Sequence, residues 1–378
     1  MKQTIVLLNT AHSSLDDRVF YHQAKSLSEK GFHVTIVSTA ETMETVKETI
    51  HICSCNLNSL SRKEKQQKIV EQLNRFMPDI IICDTPAAVL SSHKYRKKHK
   101  AKIIYDITEW YPSANNLKNT KGLKKWIRCL TLILFNLYAG LLANGFIFGE
   151  RYKSKPFRFF YFWKSYIFLP YFPDLEYIQP TPARKVNDTI RLFYGGNIRP
   201  ARGLPQLILS VRAAAERKPE VAFELHLLCN LSTEKDIAYF ENLTCNLPPN
   251  LTIHQKQILP FVDFCRYMVD MDLFFDLRTI SFESNHSLPI KLFYYLACGR
   301  PVVYSKLKSI TTFFADIPFG YVVNPSNNEK ITDYIVNYID NPDIYAGHCQ
   351  KALELSKQKY NWGKIEKDFI DFVQQCVN

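Results

Sequence analysis

At 378 residues the chain exceeds what one hydrophobic core ordinarily holds, so two domains of about 180 residues each are expected. A hydrophobic content of 46% with 22% charged residues excludes a disordered polymer. The formal net charge of +12 is uneven: residues 1–180 hold 26 Lys+Arg against 15 Asp+Glu, and residues 181–378 hold 22 against 21, so a partner that needs positive charge meets the first half.

The N-terminus, MKQTIVLLNTAHSS, has a short apolar run without a small-residue cleavage site and reads as a first strand, Ile5 to Leu8, in a cytoplasmic protein. A helix is expected from about Asp17 to Lys30, stopped at Gly31, followed by a second strand from His33; together these make a βαβ unit. Short apolar runs recur at Asp79 to Cys83, Lys102 to Asp106 and Gly145 to Phe148, each between helical or basic stretches. The ten cysteines include no C-x-x-C and no neighbouring His cluster, which fits buried, reduced thiols rather than disulfides or zinc ligands.

Between residues 91 and 165 there are 16 Lys+Arg and three Asp+Glu. They are interleaved with Trp126, an uncharged span from Cys129 to Gly149, and the run Phe157-Arg-Phe-Phe-Tyr-Phe-Trp163. Cationic residues beside aromatics suit an anionic bilayer surface. The uncharged span is long enough to raise a transmembrane helix, yet Asn136, Asn144 and glycines interrupt it and its end fits a domain strand; a helix pressed on the interface is the preferred reading, a plain buried helix the alternative. Nucleic acid is not expected, because no helix-turn-helix, zinc-finger or RNP pattern appears.

The strand pattern restarts after the Pro-rich stretch Tyr177-Ile-Gln-Pro-Thr-Pro-Ala-Arg, with runs at Ile190, Phe223, Leu273, Pro301 and Tyr321. Two consecutive parallel α/β domains joined near residues 174–188 explain this, with a ligand expected in a cleft between strand C-termini. Two stretches could meet phosphates. In Ser287-Leu-Pro-Ile-Lys291, a Ser N-cap and a proline would open a helix that Gly299 and Pro301 end, with Lys291 adding charge near its free N–H groups. In Tyr194-Gly-Gly196-Asn-Ile-Arg199-Pro-Ala-Arg202-Gly-Leu204, a strand runs into glycines and a basic loop leads into a helix. Each alone is equally an ordinary turn or helix start. Asp270-Met-Asp272 spells a metal motif but precedes an apolar run and reads as a strand start.

These motifs, in this order and over nearly the whole chain, resemble the retaining glycosyltransferases of the two-Rossmann-domain GT-B architecture, in the group called family four or group 1. His12-Ser-Ser-Leu-Asp16-Asp-Arg18 with Ala24, Leu27, Gly31 and Val34 is similar to the family's opening loop, first helix and second strand. Asp106-Ile-Thr-Glu109-Trp-Tyr-Pro112 resembles its Asp-x-His-Glu segment, and Gly196 to Leu204 its phosphate loop. Leu288-Pro-Ile-Lys-Leu-Phe-Tyr-Tyr resembles the nucleotide-gripping helix, and Tyr360-Asn-Trp362 the terminal helix that crosses back.

The resemblance implies an α/β chain of two Rossmann-like domains: 1–180 binding acceptor and facing the membrane, 181–360 binding a nucleotide sugar, and 361–378 packing back on the first. It implies transfer of a sugar from a nucleotide diphosphate sugar to a lipid-linked or polysaccharide acceptor at the cytoplasmic face of the membrane, in capsule, O-antigen or exopolysaccharide synthesis. The reaction would be retaining and metal-independent, with no cofactor, the protein being held peripherally. Donor contacts would fall to Gly196, Asn197, Arg199, Arg202, Arg278, Glu283, Leu288, Lys291 and Tyr294, and catalytic contacts to Glu109, His12 and His286. The family's two glutamates fall here at His286 and Tyr294, its phosphate-binding arginine at Asn197, its lysine at Arg202 and the histidine of Asp-x-His-Glu at Thr108. A second reading follows from those departures: a degenerate fold that binds a partner enzyme or a glycan without turnover.

Overall fold

A computed structural model describes residues 3–109, 111–314 and 316–377. The chain forms two compact units, Met1–Tyr171 with Gly363–Asn378, and Phe172–Trp362. The passage between them precedes the Pro-rich stretch that the sequence suggested as the joint. That stretch belongs to the second unit because the buried Arg300 guanidinium donates to the carbonyls of Thr181 (3.1 Å), Pro182 (3.1 Å) and Met271 (3.0 Å).

The first unit is built on eight strands: β1 (Thr4–Asn9), β2 (His33–Ser38), β3 (Met43–Lys47), β4 (Ile50–Ser54), β5 (Ile80–Cys83), β6 (Lys102–Ile107), β7 (Gly145–Phe148) and β8 (Ser165–Phe168). Their order is β3-β4-β2-β1-β5-β6-β7-β8, parallel except for the β3–β4 hairpin. The continuous apolar runs at β1, β5 and β7 are buried on both faces, as a parallel sheet covered by helices requires. The hairpin was not legible in the sequence: its turn residues, Glu48 and Thr49, take φ of 49° and 67° without the Asn-Gly or Asp-Gly that usually announces such a turn. The helix Glu366–Val377 packs in this unit, with Phe372 and Cys376 against Gly145.

The expected helix after β1 is present in a different form. Asp17–Ala24 is a π-helix that passes into an α-helix over Lys25–Glu29. Its i→i+5 pattern places Arg18 and Gln23 on one face, and both reach the same carboxylate. Arg18 Nε and Nη2 donate to Asp106 Oδ2 and Oδ1 at 2.9 Å each, and Gln23 Nε2 to Oδ2 at 2.8 Å. The Arg18 guanidinium also reaches the Leu169 carbonyl at 3.0 Å and lies 4.3 Å from the Tyr171 ring centroid. One buried fork thus ties the first helix to the end of β6 and to the chain leaving β8.

The helix Gly122–Leu142 was expected within the apolar span. Only its C-terminal half is seated: Asn136 accepts from Tyr105 Oη at 2.8 Å, and a Cβ at Gly140 would lie 2.8 Å from the Tyr161 ring. Lys164 Nζ caps its end by donating to the carbonyls of Gly140 (2.9 Å) and Leu141 (2.7 Å), and burial lowers that amine to about 8. Leu123, Trp126, Ile127, Leu130, Leu134, Tyr138 and Leu141 form an exposed stripe at helical spacing, with Lys121, Lys124, Lys125 and Arg128 exposed on its first two turns. Phe159, in the last turn of the helix Arg151–Phe160, is exposed, as are Phe162 and Trp163 just beyond it.

The second unit holds six parallel strands: β9 (Thr189–Gly195), β10 (Ala222–Leu228), β11 (Leu251–Lys256), β12 (Leu273–Asp276), β13 (Val302–Ser305) and β14 (Gly320–Val323), in the order β11-β10-β9-β12-β13-β14. Its strands were anticipated apart from β11, whose alternating Leu-Thr-Ile-His-Gln-Lys reads as half-exposed edge chain.

Breaking the Arg18–Asp106 pair by Arg18→Met or Asp106→Asn should lower stability by about 3–5 kcal/mol, because a buried group loses its counter-charge. Urea denaturation followed by circular dichroism reads this as a lower midpoint, and the pair Arg18→Met/Asp106→Leu should recover part of the loss.

Candidate active site

In the second unit β9 has β10 on one side and β12 on the other, so the strand order reverses between β9 and β12. Ligands of open α/β sheets bind outside the strand C-termini at such a reversal. β9 runs out through Gly195 and Gly196 into a 3₁₀ turn, Pro200–Arg202, and the helix Leu204–Arg217. Gly203 joins turn to helix at φ +80°, where a Cβ would lie 2.0 Å from the Leu277 carbonyl oxygen; only glycine allows this loop to lie against the segment after β12. The amide of Thr279 donates to the Ala201 carbonyl at 2.9 Å across the same seam.

The last residue of β12, Asp276, is buried and organises the cations around it. Arg278 grips its carboxylate through two hydrogen bonds, Nε to Oδ1 at 2.7 Å and Nη2 to Oδ2. Lys291, in the first turn of the helix Ile290–Ala297, donates its Nζ to the Gly195 carbonyl and stands 3.5 Å from where a Gly196 Cβ would be. Burial works to raise the Asp276 carboxyl, but Arg278, Lys291 and Arg202 together outweigh it and hold it below the usual carboxylate range. Burial lowers the Lys291 amine to about 8 against the pull of Asp276, with Arg278 and Arg202 adding to the lowering. Three cations thus share one carboxylate, leaving a site that gains by taking in an anion. Asp276 had no motif to announce it; the signal was a carboxylate ending an apolar strand.

Three of the nine donor candidates, Gly196, Arg278 and Lys291, meet at this point, and Arg202, exposed at the end of the loop, acts on Asp276 through its charge. Arg278 does so as the partner of Asp276. Asn197 and Arg199 lie exposed on the loop, their carbonyls accepting from Tyr194 Oη at 2.8 Å and the Arg202 amide at 2.9 Å. Glu283 and His286 sit half-buried on a short helix, Phe282–His286, where His286 Nδ1 is 2.7 Å from the Phe282 carbonyl and its ring packs 4.5 Å from that of Phe282. Ser287 corrects the expected N-cap: it closes that short helix, and Pro289 occupies the cap position of the next, which begins without a side-chain cap. Leu288 lies between the two helices, half-buried. Tyr294 is buried, its ring edge-on to Phe261 at 6.1 Å.

The remaining catalytic candidates belong to the first unit. His12 follows β1 with its Nδ1 3.9 Å from Asp16 Oδ2. Burial, then Asp17, push the Asp16 carboxyl up to about 7, with His12 opposing. Glu109 is exposed on the loop after β6, and Trp110 beside it lies outside the described residues. Sequence reasoning passed over Asp84, at the end of β5: it accepts from the Thr10 and Ala11 amides at 2.8 Å each and from Thr10 Oγ1 at 2.9 Å, and burial raises its carboxyl nonetheless.

Asp272 of the Asp-x-Asp motif is placed by structure. It stands before β12, at the opposite end of the strand from Asp276, and accepts from Arg184 Nη2 at 3.0 Å and the Arg191 amide at 2.9 Å.

No family model and no curated protein matches the sequence. Solved structures do match. A sucrose-phosphate synthase from Thermosynechococcus elongatus superposes with a TM-score of 0.70 over 99% of this chain and 99% of that one, at 14% identity. The fold is GT-B. A glycosyltransferase from Rickettsia africae gives 0.70 over 100% of this chain and 99% of its own, also at 14% identity. HepE of Anabaena, solved with UDP-glucose, gives 0.69 over 98% and 99%, at 13% identity. The GT-B fold accounts for two doubly wound sheets in one chain and for a C-terminal helix counted with the first.

A diphosphate entering the Asp276 cluster should raise the Lys291 amine and take up a proton. Nucleoside diphosphate affinity, measured by calorimetry from pH 7 to 9.5, should therefore be full below pH 8 and fall as pH rises through that value. Lys291→Arg, which stays charged throughout, should flatten the profile.

Proposed function

We propose that this protein is a glycosyltransferase that takes its sugar from a nucleoside diphosphate donor. The observation that carries the reading is the convergence of Arg202, Lys291 and Arg278 on Asp276, beside glycine backbone, at the strand reversal of a GT-B fold. Glycosyl transfer from such a donor needs charge stabilisation on the departing diphosphate, and fixed cations supply it without a divalent ion. Retention of anomeric configuration, implied by the family resemblance, belongs to the same proposal. The first-unit groups His12 and Glu109 are the proposed contacts to the acceptor, and His286 of the second unit is a proposed catalytic contact to the donor.

The acceptor proposed is a lipid-linked or polysaccharide glycan at the cytoplasmic face of the membrane, in surface-polysaccharide synthesis. Support comes from the helix Gly122–Leu142, long and apolar enough to cross a membrane by length and composition, with one face of large apolar side chains in the open and lysines on its first turns. The seated C-terminal half, tied down by Lys164 and Asn136, favours lying on the bilayer over spanning it.

Arg202→Ala should weaken nucleoside diphosphate binding 10- to 100-fold, about 1.5–3 kcal/mol for a charged contact, with an unchanged melting temperature. Full affinity in that variant rejects the donor site. Incubation with a panel of nucleotide sugars and membrane extract should release nucleoside diphosphate; binding without release would instead favour a non-catalytic module. Flotation with vesicles containing anionic lipid should recover the wild type, whereas Leu130→Glu/Leu134→Glu should remain unbound with donor affinity intact.

A further inference from the structure

Away from the Asp276 cluster, the second sheet gathers a different chemistry on its outer strands. Glu224 and His226 are alternate residues of β10 and so share one face, and the parallel register sets His254 of β11 directly beside His226. A ligand atom from each of the three lies within 4.8 Å of the others. His226 Nε2 is 3.4 Å from Glu224 Oε2, which is the ligand-to-ligand edge of a tetrahedron with bonds of about 2.1 Å, the usual zinc distance to nitrogen and oxygen. The His254 ring is stacked on that of His226 at 4.7 Å and is exposed, so a small side-chain rotation brings it into the same sphere.

The surroundings complete the pattern that metal-bound histidines show. Tyr267, from the helix Phe261–Met268, holds its hydroxyl 2.6 Å from His226 Nδ1, which fixes the ring and leaves Nε2 directed at Glu224. Arg191 of β9 holds Glu224 Oε2 from the other side at 2.8 Å, orienting the carboxylate. Lys256, the other cation on this face, rests over the Tyr267 ring 4.6 Å from its centroid. We propose that Glu224, His226 and His254 form a binding site for a divalent first-row metal ion such as Zn²⁺, with water in the open position. Imidazole and carboxylate ligands suit that class of ion. The site would join β11, the outermost strand, to β10 through side chains as well as backbone. It lies on other strands than Asp276, so it stands or fails separately from the donor reading.

The test is titration of the metal-free full chain with Co²⁺ followed by visible absorption, and with Zn²⁺ by calorimetry, on a background in which the exposed Cys55 and Cys245 are changed to Ser. One saturable equivalent with intense four-coordinate cobalt bands is expected, and Zn²⁺ should raise the melting temperature. His254→Ala, at an exposed position, should keep the fold and its nucleoside diphosphate affinity while losing at least tenfold in metal affinity. Glu224→Gln should lose as much. Absence of a saturable equivalent in the parent chain, or unchanged metal affinity in His254→Ala, overturns the proposal.

Discussion

The carboxylate of Asp276 is the centre on which the second unit's chemistry depends. A parallel strand ends there on a buried negative charge, and such a charge is tolerated only when cations answer it. Arg278 answers it directly, while Lys291 and Arg202 stand within its field. Without Asp276 three cations would crowd one strand end with nothing to hold them; with it they remain together yet carry more charge than one carboxylate cancels. The Lys291 amine is lowered first by its burial, and Arg278 and Arg202 add to that lowering.

The first unit repeats the geometry with the opposite electrostatics. In each sheet the strand flanking the first strand across the reversal, β5 or β12, is followed by or ends in an aspartate, Asp84 or Asp276. Asp84 is answered by backbone amides and a hydroxyl of the loop after β1, neutral donors that do not fully offset its burial, so its carboxyl rises. Asp276 is answered by full charges and falls below the ordinary range. One topology thus gives a carboxyl group that favours its proton and a cationic pocket that favours an anion.

What was legible in the sequence follows from how local each signal is. Continuous apolar strands are the mark of covered parallel sheets, and those at β1, β5, β7, β9 and β12 stood out. Strand β3 is mostly polar and exposed, β4 and the edge strand β11 mix polar with apolar residues, and the hairpin carries no turn motif, so nothing local distinguished them from loop. Lys291 and Arg202 were readable because a helix start and a glycine loop flank them. Asp84 and the cluster around His226 were not, because Thr10, Ala11 and His254 come from segments distant in sequence that sheet pairing brings alongside, and Asp276 was not, because nothing in the short Asp276-Leu-Arg278 stretch marks it as the meeting point of Lys291 and Arg202. The helix at Ser287 shows the same limit at short range: Ser before Pro has the form of an N-cap, yet Pro289 takes the cap position and Ser287 closes the preceding turn.

The departures from the family pattern gain meaning from packing. Tyr294, where the resemblance places a glutamate, is buried against Phe261, and a carboxylate there would need a counter-charge among aromatic rings. The chain therefore has an aromatic wall where relatives of that pattern would hold a sugar hydroxyl through a carboxylate. His286, at the other glutamate position, is held to its own helix by the Phe282 carbonyl and ring. The cations that act on Asp276 are Arg278, Lys291 and Arg202. The residues that would neutralise a diphosphate are thus different ones from those at the two altered positions. A chain could change its donor by changing the second while leaving the first intact, and the two positions altered here are the ones where such a change would be made.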